Sequence, residues 1–496
     1  SDIMAQVKVY EEKLNLPTYP VDPPSKVPQF FNNQSTQGAA NYIYPLAIND
    51  IISDKRVMDD HQIVALENEY IKVGISPEIG GKVYYAIDKS NGHDFIYMNE
   101  QVRPGNISPI GAWVSGGIEW CVMHHHRPSG FLPINYTTTE SEGGKKTVWI
   151  SETEPRHRVR WTIGVSAFPG KSYFEAEVKM VNQTPYTHSF LFWANVATET
   201  NENFQVFFPE SVQFATFHSK NSMTRFPFST EVYNNYDFTK GVDVSWWKNS
   251  PNSNSFFAWD LKEDFMGGYD HGKNVGTVHV GDHNITKGAK LWEWGSGPRG
   301  QATEGRLTET SGPYVEIMVG TYSDNQPDYS WLRPGEVKTW KQYWFPIRDI
   351  KGIKYANLNG ALNLELKDNQ VFVGYNSTQK FPRARVIVKN GDKVLLQKDL
   401  EISPDKPFTQ TMKVDASVKR TDLYTEMINL ENNQVLLSYQ PKDYEKKPLP
   451  ETVKNPEQPE KIKTVEELYL TGKRIEQFYH PRYDELDYYR EALKRD

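Results

Sequence analysis

The stretch YVEIMVGTYSDNQPDYSWLRPGEVKTWKQYWFPI, Tyr314 to Ile347, reads as a strand bearing Glu316, an acidic loop with Asp324 and Asp328, and a Pro334-Gly335 turn into a last aromatic strand. Upstream the same period of two continues. Val159, Trp161, Ile163 and Val165 alternate with polar positions, as do Phe174, Ala176, Val178 and Met180, the pattern of half-buried strands. Turn clusters at Lys89 to Gly92, Glu142 to Gly144 and Pro169-Gly170 punctuate it at intervals typical of sandwiches. The reading is a large antiparallel β domain from about Tyr70 to Ile347.

Within it, SGGIEWCVMHHHRP, Ser115 to Pro128, packs a carboxylate, an indole, three imidazoles and a guanidinium behind a Gly-Gly pair. Cores do not need that mixture, and such clusters have a partner or a task. Run as a strand, alternation puts Glu119, Cys121, Met123 and His125 on one face and Trp120, Val122, His124 and His126 on the other.

The 496 residues exceed one ordinary domain. Residues 1–45 read as an extended arm, with Val7 to Tyr10 as a strand and prolines at 17, 20, 23, 24, 28 and 45 forbidding a long helix. The main β domain spans 46–349. Residues 350–440 suggest a small Ig-like β-sandwich, with Leu362, Leu364 and Leu366 alternating and a hairpin signal at Asn390-Gly391. Residues 441–463, rich in Pro, Lys and Glu, read as a linker. Residues 464–496 form a helical tail: Thr464 to Glu467 is a capping box, and Val465, Leu468, Ile475 and Phe478 share a helical face. YREALKRD at the end resembles the closing helix of a tetratricopeptide repeat, so a longer repeat array and protein partners on it are an expectation.

A net charge of -7 leaves no basic field for nucleic acid or an anionic membrane. No transmembrane run and no signal peptide is read; a trimmed signal peptide would make the chain extracytoplasmic, and otherwise it is cytoplasmic. Cys121, the single cysteine, excludes an internal disulfide and a Cys-based zinc cluster. The 28 Tyr, 24 Phe and 13 Trp suit half-buried strands and the apolar faces of sugar rings alike.

The Tyr314–Ile347 stretch resembles the end of galactose mutarotase (aldose 1-epimerase) domains. Glu316 falls on that family's base, Pro327-Asp328 on its Pro-Asp loop, and Leu332 to Glu336 on its Leu-x-Pro-Gly-Glu turn. Glu67 to Met98, with Gly80-Gly81, is similar to the mutarotase opening. With GGIEWCVMHHHRP and FLFWANV, Phe190 to Val196, residues 1–350 most resemble a bacterial domain-of-unknown-function family of that fold, often fused to tetratricopeptide repeats. The resemblance implies a mainly β fold, a galactose-mutarotase-like β-supersandwich with a broad saccharide cleft. The chain also departs from it: where mutarotases carry a His that protonates the ring oxygen, the Phe190–Val196 region offers Trp193, Asn195 and Glu199. His124 to His126 lie where a sugar-contacting histidine is expected.

Glycosidic cleavage needs an acid and a second carboxylate about 5 to 9.5 Å apart. Glu119, Glu199, Glu293 and Glu316 are the candidates. Glu293 lies between Trp292 and Trp294, where apolar neighbours raise a carboxyl pKa; alternation alone also allows a strand whose tryptophans are core. Substrate contacts are expected from Trp120, His124, His125, His126, Arg127, Trp193, Asn195, His283, Trp294 and Asp328. Asp282 and His283 offer ligands, yet consecutive histidines on a strand diverge, so no metal site and no cofactor are expected. The expectation is a carbohydrate-active protein with an oligosaccharide or glycoside as partner: a glycoside hydrolase, with a non-catalytic sugar-binding module and an aldose epimerase as the alternatives.

Overall fold

Alternating apolar residues build two large antiparallel sheets that bury those residues against each other. The computed structural model describes residues 6–27, 47–108, 111–123, 126–478 and 483–496. One sheet has twelve strands. Eleven run in the order Lys8–Thr18, Val57–Glu67, Ile71–Ser76, Lys82–Asp88, Ile118–Cys121, Phe192–Glu199, Tyr314–Thr321, Gly288–Glu293, Asn254–Ala258, Phe214–Thr216 and Met223–Arg225, with His93–Ile96 paired to Lys82–Asp88. The second sheet has eight strands, centred on Val337–Arg348, Phe174–Val181 and Arg160–Ala167. Between them lie Ile75, Trp120, Val148, Trp161, Val178, Val196, Ile317 and Trp344, all buried. Each such side chain contributes about 1.5 to 3 kcal/mol through removal from water.

The strand read at Val7–Tyr10 extends over Lys8–Thr18 and pairs along its whole length with Val57–Glu67. Pro28 and Pro45 lie outside the described residues. A helix, Pro298–Thr308, interrupts the strand pattern, starting where Pro298 occupies its first turn behind Gly297.

Residues 355–439 form two four-stranded sheets around Leu362, Leu364, Val373, Val386 and Met427. Their hairpin turns on Gly391-Asp392, one residue beyond the Asn390-Gly391 reading, because Asn390 still pairs with Lys393. Phe345 and Ile347 of the main domain pack with Ile350, Ile353 and Ala361, joining the two units through an apolar seam. Residues 441–458 form neither helix nor strand; the Val453 amide donates to the Lys220 carbonyl at 2.8 Å. In the tail, Val465–Phe478 and Glu485–Arg495 are helices, and the Thr464 hydroxyl accepts from the Glu467 amide at 3.0 Å. Leu468 and Ile475 pack on Tyr488 and Ile462. Val465, the first helical residue, stays exposed, and the Phe478 side chain lies outside the described residues. No helix among the described residues is long and apolar enough to cross a membrane.

Candidate functional site

The twelve-stranded sheet places its chemistry on the face turned away from the core. Register decides which side chains gather there. Asn195 lies opposite Glu119, Trp193 opposite Cys121 and Gly320, Ala197 opposite Glu316, Trp292 opposite Glu316, and Lys290 opposite Met318 and Phe257. Directly opposed residues share a face, so all of these project to one side. There Cys121, Trp193, Asn195, Phe257, Lys290, Trp292, Glu316 and Met318 line a cavity of about 190 Å³, joined by Trp113, His126, His218, Trp294, Asn325 and Gln326. Trp292 and Trp294 meet edge to face at 4.3 Å, and Trp193 meets Phe257 in the same manner at 5.4 Å.

The Glu119 strand is short because of the backbone on either side of it. Gly116 and Gly117 both have positive φ, and a Cβ on Gly117 would sit 2.0 Å from the Val83 carbonyl oxygen, so only glycine fits the approach. After Cys121 the chain leaves the sheet, with Met123 at φ 70. This break corrects the simple alternation: His126 returns to the Glu119 face, and its Nδ1 lies 2.7 Å from Glu119 Oε2. Asn195 Nδ2 donates to Glu119 Oε1 at 3.2 Å. His124 and His125 lie outside the described residues.

Two carboxyls with different surroundings result. Burial acts to raise Glu119, but the charge and hydrogen bond of His126, together with Lys82 and Asn195, outweigh it and hold the group below the ordinary carboxylate range. Glu316 is pushed up to about 7 by burial and then by the Glu119 charge, against the opposing charge of Lys290. No described residue hydrogen-bonds its carboxyl, which faces the cavity. Burial pulls Lys82 and Lys290 down to about 8 each. Lys82 is anchored beneath the site by its bond to the Val114 carbonyl. Lys290 Nζ lies 3.1 Å from His218 Nε2, and His218 Nδ1 is 3.0 Å from the Ser255 hydroxyl.

Donor atoms of Glu119, Cys121 and His126 lie within 4.8 Å of one another and could hold a metal ion. The set is tight, but Lys82 adds positive charge against Glu119, which works against a dication there. A second group, Asp264, Asp282 and His283, is on an exposed turn, where His283 Nδ1 contacts Asp264 at 2.7 Å.

Of the candidates read from sequence, the cavity is lined by Glu316, His126, Trp193, Asn195 and Trp294, and Glu119 lies buried directly behind His126 and Asn195. Among the described residues, the other candidates lie elsewhere. Glu199 is four residues along its strand from Asn195, roughly 13 Å away, and pairs with Lys273 at 2.7 Å. Glu293 falls on the core face with Ala289 and Leu291, while Lys290 and Trp292 take the cavity face. The tryptophan-core reading of that strand is therefore reversed. Trp120 is a core residue whose Nε1 donates to the Gly81 carbonyl at 3.1 Å. Arg127 is a buried strut: it donates to the carbonyls of Trp120 at 3.0 Å and Gly80 at 2.7 Å, and to Glu152 at 2.8 Å. Asp328 is bound by Lys220 on the surface, and His283 is remote on its turn. Sequence reasoning missed Lys82, Trp113, His218, Phe257, Lys290 and Trp292. Two of these had a signal, since Lys290 and Trp292 alternate on one strand.

Residues 39–347 match a family described as a domain of unknown function, DUF5107, and residues 355–439 match the second domain of YphG-like proteins. Among solved structures, a TPR-domain containing protein from Parabacteroides distasonis is similar over 71% of this chain and 58% of its own, with 22% identity and a TM-score of 0.59. This chain thus spans 58% of that protein's length. A putative aldose 1-epimerase from Klebsiella pneumoniae matches over 58% of this chain and 80% of its own, at 12% identity and TM-score 0.43. A galactose mutarotase-like protein from Clostridium acetobutylicum matches over 58% and 96%, at 13% identity and TM-score 0.41.

Proposed function

The chain belongs to the DUF5107 family, and from that premise we propose that the cavity is the saccharide site of a carbohydrate-active enzyme, a glycoside hydrolase working through Glu316 and Glu119. The observation that carries this reading is the divergence of two carboxyls on one sheet face, Glu119 held ionised behind His126 and Asn195 and Glu316 in the cavity wall pushed up to about 7. Environments that drive paired titratable groups apart are how acid and base roles are divided. Glu316 gives its proton to the glycosidic oxygen as the bond to the anomeric carbon breaks. Glu119, kept charged by His126 and Asn195, acts at the anomeric carbon or on the water that attacks it. Trp113, Trp193, Trp292 and Trp294 supply flat apolar surface for a sugar ring. At about 190 Å³ the cavity is smaller than the several hundred Å³ of drug-sized sites, which favours one terminal residue over an internal stretch of a polysaccharide.

A second reading has an observation of its own. His126 and His218 bring imidazoles to the cavity, replacing in kind the histidine that the Phe192–Glu199 strand lacks, and an epimerase would use one to protonate a ring oxygen.

The test is a panel of aryl glycosides and oligosaccharides assayed with the parent, Glu316→Gln and Glu119→Gln. Turnover of at least one substrate, lost by two or more orders of magnitude in each variant while binding persists, is expected. Sugar binding without turnover across the panel would favour a binding module, and interconversion of anomers alone would favour the epimerase.

A further inference from the structure

Lys290 is 5% exposed, and among the described residues no carboxylate lies within ion-pair distance of its ammonium. A buried charge without a counter-ion is costly, by several kcal/mol. Every other strongly buried lysine near this face is differently placed. Lys220 is paired with Asp324 at 3.0 Å and also with Asp328, and Lys82 donates to a backbone carbonyl below the cavity. Lys290 instead stands in the cavity wall, over the Phe257 ring at 4.5 Å, beside the His218 nitrogen.

An ammonium has only donors, so His218 Nε2 accepts from Lys290 and its Nδ1–H is left to donate to Ser255. That contact uses one of three N–H bonds. The strand backbone lies behind the side chain and Phe257 beside it, so the remaining donors are directed at the cavity, next to the equally unpartnered Glu316. The Glu119 charge is already engaged by His126 and Asn195. When Glu316 holds its proton, as its proposed role requires, the positive charge of Lys290 is left without a carboxylate partner among the described residues.

We propose that this cavity selects a saccharide carrying an anionic substituent, a uronic acid carboxylate or a sulfate ester, and that Lys290 with His218 behind it is the residue pair that binds that group. The inference rests on the saccharide reading of the cavity and specifies its substrate class. Binding places a negative charge near Glu316, which disfavours ionisation of the acid and keeps its proton in place for transfer. The protein as a whole is acidic, with a net charge of -7, so the preference comes from the local cation and not from a general field.

The experiment measures calorimetric affinity of the full chain for matched probes: methyl glucuronides and galacturonides, the methyl 6-sulfates of glucose and galactose, and the uncharged methyl glucosides and galactosides. At least one anionic probe is expected to bind tenfold or more tightly than its neutral counterpart, with carboxylate against sulfate identifying the source of the anion. Lys290→Gln should remove that preference and Lys290→Arg should retain most of it, with thermal unfolding confirming that both variants fold. Equal affinity for charged and neutral probes, or a preference that survives Lys290→Gln, overturns the inference while leaving the saccharide reading intact. Failure of every probe, charged and neutral, overturns both.

Discussion

Glu119 and Glu316 stand on one face of one sheet, two strands apart and offset by two residues, with Asn195 and Ala197 of the intervening strand between them. Two strand spacings combined with the two-residue offset put their Cα atoms roughly 12 Å apart. The Glu119 charge reaches Glu316 and is one reason its carboxyl is pushed up.

The first consequence is a pH profile. The proposed hydrolysis would require Glu316 protonated and Glu119 ionised, so the rate should fall on the alkaline side with a midpoint near 7 and on the acid side only below the ordinary carboxylate range. Lys290 lowers the Glu316 pKa, so Lys290→Gln should move the alkaline limb to higher pH. A limb that stays in place or moves lower in the variant would contradict the assignment of that limb to Glu316.

Arg127 should behave as a structural residue. It is 2% exposed and ties the Trp120 carbonyl of the Glu119 strand to the Gly80 carbonyl just before the neighbouring Lys82–Asp88 strand. Arg127→Ala removes one partner of a buried ion pair and leaves carbonyls unmet, at a cost of about 3 to 5 kcal/mol. Denaturant unfolding checks this. Unchanged stability with altered sugar affinity would return Arg127 to the substrate-contacting set.

Gly320 controls the wall opposite Cys121. A Cβ there would meet the Trp193 ring at 2.6 Å, and one on Gly288 would meet it at 2.7 Å. Gly320→Ala should therefore displace the Trp193 indole, costing about 1 to 3 kcal/mol of stability and weakening ligand binding together with a shift in tryptophan fluorescence. Normal affinity with unchanged fluorescence would show that the indole is not held by that contact.

Glu293 makes stability depend on alkalinity. It is fully buried, burial raises its carboxyl well above the usual range, and the nearby Ser250 hydroxyl only partly offsets this, since among the described residues neither oxygen has a partner at full hydrogen-bond geometry. The folded state thus holds a proton that the unfolded state releases, so its contribution is fully present below the ordinary carboxylate pKa and is lost as pH rises. Glu293→Gln should flatten the decline in melting temperature between about pH 5 and about pH 9 and raise it at the alkaline end. Parallel curves for parent and variant would show that the group is not the source.

Period-two alternation made the strands legible: the apolar series Val159–Val165 and Phe174–Met180 lie on the core faces of Arg160–Ala167 and Phe174–Val181. The helix Pro298–Thr308 was not, because its sequence PRGQATEGRLT has no apolar stripe, only Gly297-Pro298 as a start signal. In the site, Glu119 and Glu316 were legible because each is a charge on an otherwise apolar strand. Glu293 has the same appearance and the opposite parity, and parity shows only when the register with Tyr314–Thr321 is known. His218 reaches the cavity from a tight turn in which Ser219 has φ 59, a geometry that no periodicity announces. The return of His126 depends likewise on the break at Met123.

The single cysteine of the chain forms part of the cavity wall, buried, with its thiol raised well above the usual value by burial and by the neighbouring carboxylates. A thiol so placed reacts slowly, because the thiolate is the attacking form. Its modification by a small maleimide or iodoacetamide can be followed as one mass increment at Cys121 by peptide mass analysis, with no competing thiol. Any compound that fills the space in front of Cys121 should slow that labelling in proportion to its occupancy, which turns an untouched chain into its own screening reagent for ligands whose identity is not known in advance.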